Sequence, residues 1–128
     1  ADFERLLKQV RKETTAGNFP ALLPITETAD RYDIIFAGSP NWCGTIAPPL
    51  AAWLRENDLT GKRILPFFSH CGGEDKGMAE AVRKLCPSAK VENSLYVLEN
   101  GSINLQDTIQ TWLKQIFPEK EREACNYE

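Results

Sequence analysis

The chain has 128 residues, enough for one domain with a sizeable core, and 42% hydrophobic against 26% charged residues is ordinary for a globular chain. Fifteen basic and eighteen acidic residues give a net charge of −3 with no basic cluster, which argues against a nucleic-acid footprint; no apolar run approaches the length of a membrane span. ADFERLLKQVRKE does not read as a signal peptide, and four cysteines at 43, 71, 86 and 125, with no CxxC pair, fit reduced thiols of a cytoplasmic protein and no zinc module.

In chain order, Phe3, Leu6, Leu7 and Val10 recur at helical spacing and predict an opening helix. Thr14-Thr15-Ala16-Gly17-Asn18 reads as its C-terminal cap, with Gly17 as the left-handed residue, and a loop then runs through Pro20 and Pro24 to Asp30-Arg31. Tyr32 to Ala37 is a short strand whose apolar run, Ile34, Ile35 and Phe36, is of the kind buried in a parallel sheet. Pro48 and Pro49 sit where a helix begins, because its first N–H groups need no partner, and Ile46, Leu50, Trp53 and Leu54 mark its apolar side. Leu59 to Lys62 is a turn. Arg63 to Phe68 is a second strand, weakened by Pro66, and Ser69 to Gly77 a polar, Gly-rich loop. Met78, Val82 and Leu85 give a third helix, stopped by Pro87. Val91 to Leu98 is a third strand, Asn100-Gly101 a turn, and Asn104 the cap of a last helix carrying Leu105, Ile109, Trp112, Leu113 and Ile116. Pro118 ends it. Residues 1–118 form the expected domain and 119–128 a charged tail. The order α-β-α-β-α-β-α implies a parallel sheet with right-handed crossovers, although three strands are few for it.

The stretch that carries most information is YDIIFAGSPNWCGT, residues 32–45. Open α/β sheets bind ligands at the carboxyl ends of their strands, and a Trp in such a loop calls for a flat partner. The second strand ends in a comparable loop, Ser69-His70-Cys71-Gly72-Gly73. Trp53 and Trp112 lie on helical apolar faces and read as core. His70 is the single histidine, so a Ser-His-Asp triad would rest on it alone; backbone contact is the better reading of its loop, and no residue is assigned as catalytic. Cys43 and Cys71 read as free thiols, not as a redox pair or metal site. Glu74, Asp75 and the charges from Glu119 to Glu123 read as solvated.

Through YDIIFAGSPNW, TGKRILPFFSHCGG and KLCPSAKV the chain resembles the flavodoxin family of small FMN proteins, over roughly Ala1 to Phe117. The resemblance implies a flavodoxin-like three-layer α/β/α fold with a parallel sheet, truncated at the N-terminus. The family's first strand, its S-x-T-G-N-T phosphate loop and its first helix have no counterpart here, since Thr14 to Asn18 follows a helix and not a strand. It further implies an FMN ring wrapped by Ser39, Pro40, Asn41, Trp42, Cys43 and Gly44, with Trp42 stacked on it, and contacted by backbone N–H groups of Ser69, His70, Cys71, Gly72 and Gly73. The implied function is an FMN-binding redox protein, an electron carrier or a small reductase, working with a redox partner or a small-molecule electron acceptor. The alternative is a scaffold that has lost FMN and serves as a binding or assembly module. The first strand is expected to expose an apolar edge, and the Trp112, Leu113 and Ile116 face of the last helix to be only partly covered. Either a homodimer or association with a chain supplying the missing segment would cover them.

Overall fold

The computed structural model describes residues 2–16, 21–25, 27–42, 44–70, 77–98 and 104–119. The elements are α1 (Asp2–Ala16), a single 3-10 turn (Ala29–Arg31), β1 (Ile34–Pro40), α2 (Pro48–Glu56), β2 (Arg63–His70), α3 (Met78–Leu85), β3 (Lys90–Val91), β4 (Leu95–Leu98) and α4 (Leu105–Ile116). The expected alternation is present. Pro48 and Pro49 occupy the first turn of α2, where their missing N–H groups are not needed. The proposed Gly17 cap, the Asn100-Gly101 turn and the charged tail beyond Glu119 lie outside the described residues.

All strand pairs are parallel, with β2 in the centre. Both other neighbours lie on the same side of it: β3 pairs with its start and β4 with its end. The single third strand expected at Val91 to Leu98 is therefore corrected to two pieces. Ile64 is opposite Val91 but Phe67 is opposite Leu95, so three steps on β2 answer four on the third strand. That one-residue bulge moves side-chain phase, and Val91 and Leu95 end on opposite faces of the sheet. Its position matches Pro66. The carbonyls of Lys62 and Ile64 accept from the amides of Lys90 and Glu92, so the even-numbered residues of β2 turn their backbone groups toward the third strand. Pro66, next in that series, has no N–H to give, and the third strand is interrupted there. The carbonyl of Asn93, within the interruption, accepts a 2.7 Å hydrogen bond from the indole N–H of buried Trp112.

Two other expectations shift. β1 begins at Ile34, not Tyr32, and continues through Gly38-Ser39-Pro40; β2 continues to His70. Both extensions arise because the pairing persists to Pro40 opposite Ser69, and a Pro is tolerated on a strand that, among the described residues, is bonded on one side only. Asn104 precedes α4 but makes no side-chain cap; its carbonyl accepts from Thr108 instead.

The crossovers β1–α2–β2 and β2–α3–β3 step in the same direction, so one hand of connection puts α2 and α3 on one face. There Ala37, Ile64 and Phe68 pack with Ile46, Leu54, Met78 and Val82. On the other face Leu65 and Leu95 pack with Trp112 and Ile116 of α4. The α4 face expected to be partly open is thus buried at Trp112 and Ile116, because the bulge turns Leu95 toward it. What stays open is the sheet beside α4: Ile34, Phe36 and Phe67 are exposed. Arg63 fastens the end of the sheet away from the strand carboxyl termini. Its Nε meets Glu92 at 3.0 Å, its Nη2 donates to the Ile116 carbonyl, and its guanidinium lies over the Phe117 ring.

Among the described residues β1 has no partner on its outer edge. A groove of about 450 Å³ runs along it, lined by residues that include Ile25, Tyr32, Phe36 and Trp53. α1 forms as predicted, yet Phe3 (70% exposed) and Leu6 on its apolar side are uncovered. No described helix is long and apolar enough to cross a membrane.

Candidate functional site

β1, β2 and β4 run in the same direction, so Pro40, His70 and Leu98 end at one edge of the sheet. This edge gathers the described members of both predicted loops. Cys43, Cys71, Gly72 and Gly73 lie outside the described residues.

Ser39 is buried, and its hydroxyl is used internally. It accepts from the Ala47 amide at 2.8 Å and donates to the Pro40 carbonyl at 2.7 Å. Ala47 immediately precedes α2, so Ser39 ties the end of β1 to the start of that helix. Pro40 and Asn41 are half-buried. The Asn41 amide donates to the Ser69 carbonyl at 2.9 Å, which carries the β1–β2 pairing one step beyond the strand. Trp42 and Thr45 then exchange backbone hydrogen bonds of 3.0 and 3.2 Å, closing a tight hairpin. Gly44 has φ +81°, a left-handed backbone that glycine adopts without strain. Its amide donates to Asn41 Oδ1 at 2.8 Å. The hairpin presents Trp42 with 46% of its surface exposed and without an aromatic partner among the described residues. Ser69 and His70, both half-buried, lie alongside on β2. His70 stacks on Tyr96 of β4, with ring centroids 4.1 Å apart and planes within 6°.

Tyr96 is the residue that sequence reasoning missed. Its hydroxyl accepts from Asn41 Nδ2 at 2.7 Å across 55 residues of chain, and its ring meets that of Phe68 edge-on. No local signal in Ser94-Leu95-Tyr96-Val97 marks it, because the bulge that sets its register is a property of the pairing. Chemically the edge offers a half-exposed indole and an imidazole held flat against a phenol ring. Among the described residues no cluster of His, Cys, Asp and Glu can hold a metal ion. Trp53 and Trp112, expected in the core, are respectively packed against it and buried within it.

A family model described as flavodoxin matches residues 8–116. No curated protein matches the chain. Among solved structures, the chain is similar to a flavoprotein of Lactobacillus acidophilus crystallised in complex with FMN. That match has TM-score 0.68 and 18% identity over 88% of this chain and 70% of that one. A protein of Bacteroides uniformis described as a flavoprotein matches with TM-score 0.69 and 18% identity, over 83% of this chain and 66% of that one. Its counterpart from Bacteroides eggerthii matches with TM-score 0.69 and 23% identity, over 84% and 66%. Identities this low carry the fold alone. The chain therefore spans about two thirds of the length of its Bacteroides neighbours.

Proposed function

Because the chain belongs to the flavodoxin family, we propose that it binds FMN at the carboxyl edge of its sheet and works as a redox protein. It would act as an electron carrier or a small FMN-dependent reductase, exchanging electrons with a redox partner or a small-molecule acceptor. The observation that carries this reading is Trp42, a large apolar ring exposed on a braced hairpin at a strand end. Offset stacking on such a ring adds roughly 0.5–1.5 kcal/mol beyond the area buried. Pro40, Asn41 and Gly44 shape the same hairpin, Ser69 and His70 flank it, and Cys43, Cys71, Gly72 and Gly73 complete the two loops in sequence. Ser39 supports the loop from below. When bound, the flavin supplies the electron-transfer chemistry; the chain supplies binding, orientation and hydrogen bonds.

Ring binding and phosphate binding separate in this chain. Thr14 to Ala16 form the last turn of α1 and do not follow a strand, so they make no strand-to-helix phosphate cradle. The test is a titration of the 128-residue chain with FMN and with riboflavin, followed by flavin fluorescence. Both ligands are expected to bind with similar affinity, and Trp42→Ala to weaken both by about three- to tenfold. A strong preference for FMN would reveal an anion site elsewhere. Unchanged affinity in Trp42→Ala would remove the stacking role. Binding of neither ligand would leave the scaffold reading.

The open β1 edge supports association with a second copy of the chain as a further part of this reading. The chain carries an uncovered sheet face at Ile34, Phe36 and Phe67 and an uncovered helix face at Phe3 and Leu6. A twofold arrangement would lay the helix of each copy on the sheet of the other. Sedimentation at micromolar concentration is expected to show a dimer, and Phe36→Lys to shift it toward monomer. A monomer that binds no hydrophobic dye refutes the open edge. A monomer that does bind dye refutes the second copy and points to a segment supplied by another chain.

A further inference from the structure

We infer that Tyr96 is a positioning residue that sets the flavin-facing ends of two strands, the hairpin after β1 through a hydrogen bond to Asn41 and His70 at the end of β2 through a stack. The inference rests on the flavin reading for the identity of the ligand; the geometry stands without it.

The argument starts in the core. Phe68, 1% exposed, is the register partner of Tyr96, and the two rings meet edge-on at 6.4 Å and 71°. Tyr96 is thus anchored from below. From there it reaches the ends of both strands. His70, two residues along β2 from Phe68 and on the same face, stacks on it. Asn41, one residue past the end of β1, donates to its hydroxyl.

Asn41 is held at three points. Its amide donates to Ser69, its Nδ2 to Tyr96, and its Oδ1 accepts from Gly44. Turning the side-chain amide over would aim Nδ2 at the Gly44 N–H, donor against donor, and leave Oδ1 facing the phenol. The Gly44 amide fixes one end of that side chain and Tyr96 the other. Gly44 lies within the hairpin closed by Trp42 and Thr45, so the orientation of the Trp42 platform is passed from Phe68 through Tyr96 and Asn41. Ordering a loop in advance raises affinity because the ligand does not have to order it. Tyr96 needs no contact with the ligand to act in this way.

The test compares Tyr96→Phe, which keeps the ring and removes the hydroxyl, with Tyr96→Leu, which removes both. In the chain without flavin, Tyr96→Phe is expected to speed amide hydrogen exchange at Gly44 by about tenfold, the loss of one ordered hydrogen bond, and to leave the His70 ring resonances unchanged. Tyr96→Leu moves both. With flavin, Tyr96→Phe weakens FMN and riboflavin by the same factor, about three- to tenfold, because the effect is on ring placement and not on phosphate. The Asn41→Ala, Tyr96→Phe double variant binds no more weakly than Asn41→Ala alone, since Tyr96 acts through Asn41. Unchanged Gly44 exchange in Tyr96→Phe overturns the inference, as do multiplying losses in the double variant. If Tyr96→Leu does not fold, Tyr96→Phe decides. A wild-type chain that binds no flavin overturns the flavin reading alone, and Gly44 exchange still decides whether Tyr96 holds the loop.

Discussion

Phe67 and Phe68 are identical neighbours on the central strand with opposite fates: Phe68 is 1% exposed and Phe67 41%. Period-two alternation sends one ring to each face of the sheet. Phe68 enters a face roofed by both α2 and α3, whereas Phe67 enters a face roofed, among the described residues, by α4 alone. The Phe67 ring lies across Gly38 of β1, which has no Cβ to collide with it. Beyond that ring, Phe36 reaches Trp112 with one edge and is otherwise 54% exposed. The apolar character of the strands does not decide burial here; the number of helices on each face does.

That contrast has a thermodynamic form. Phe68→Ala is expected to cost about 3–5 kcal/mol, combining lost transfer energy with a cavity that two helices cannot close. Phe67→Ala is expected to cost about 1 kcal/mol, because much of its ring already meets water and no cavity forms. Urea unfolding of both variants at equal m-value is the measurement. Comparable losses would break the comparison, since they would require the α4 face to be covered in solution. They would then also be concentration-dependent if a second copy supplies the cover.

The local rules read most of this fold correctly. Helical spacing located α1 to α4, and Pro48-Pro49 marked the start of α2 because a missing N–H is harmless there. Strand positions were legible from apolar runs, but their ends were not. Gly38, Ser39 and Pro40 carry turn-forming character and stay in β1 because Phe67, Phe68 and Ser69 are there to pair with. The bulge between Val91 and Leu95 has no signature in Glu92-Asn93-Ser94 alone; it exists relative to β2 and Pro66. Of the site, a Trp in the loop at the end of β1 follows from strand-end logic, whereas the Trp42–Thr45 hairpin and the Asn41–Tyr96–His70 assembly, which joins three strands, become visible once the sheet is formed. The apolar stripe of α1 was equally legible, but a stripe shows that a helix has an apolar side and not what covers it.

The smallest expected effect probes the closed face from within. Cys86 ends α3, is buried against the α2/α3 core, and burial pushes its thiol above the ordinary value. The folded chain therefore holds this proton to higher pH than the unfolded chain does. Below the ordinary thiol range both states keep the proton and the thiol contributes its full stability. As pH rises through that range toward the folded value, the unfolded state loses the proton first, and stability falls. Urea midpoints of the wild type are thus expected to drop more steeply above about pH 8.5, the unperturbed thiol value, than those of Cys86→Ala. The alanine variant starts lower because of its small cavity, so the slopes and not the midpoints carry the comparison. Every other ionisable group, the remaining three cysteines included, is common to both proteins and cancels in the difference. Parallel slopes would mean that water reaches the thiol and that the two-helix face is less closed than its packing indicates.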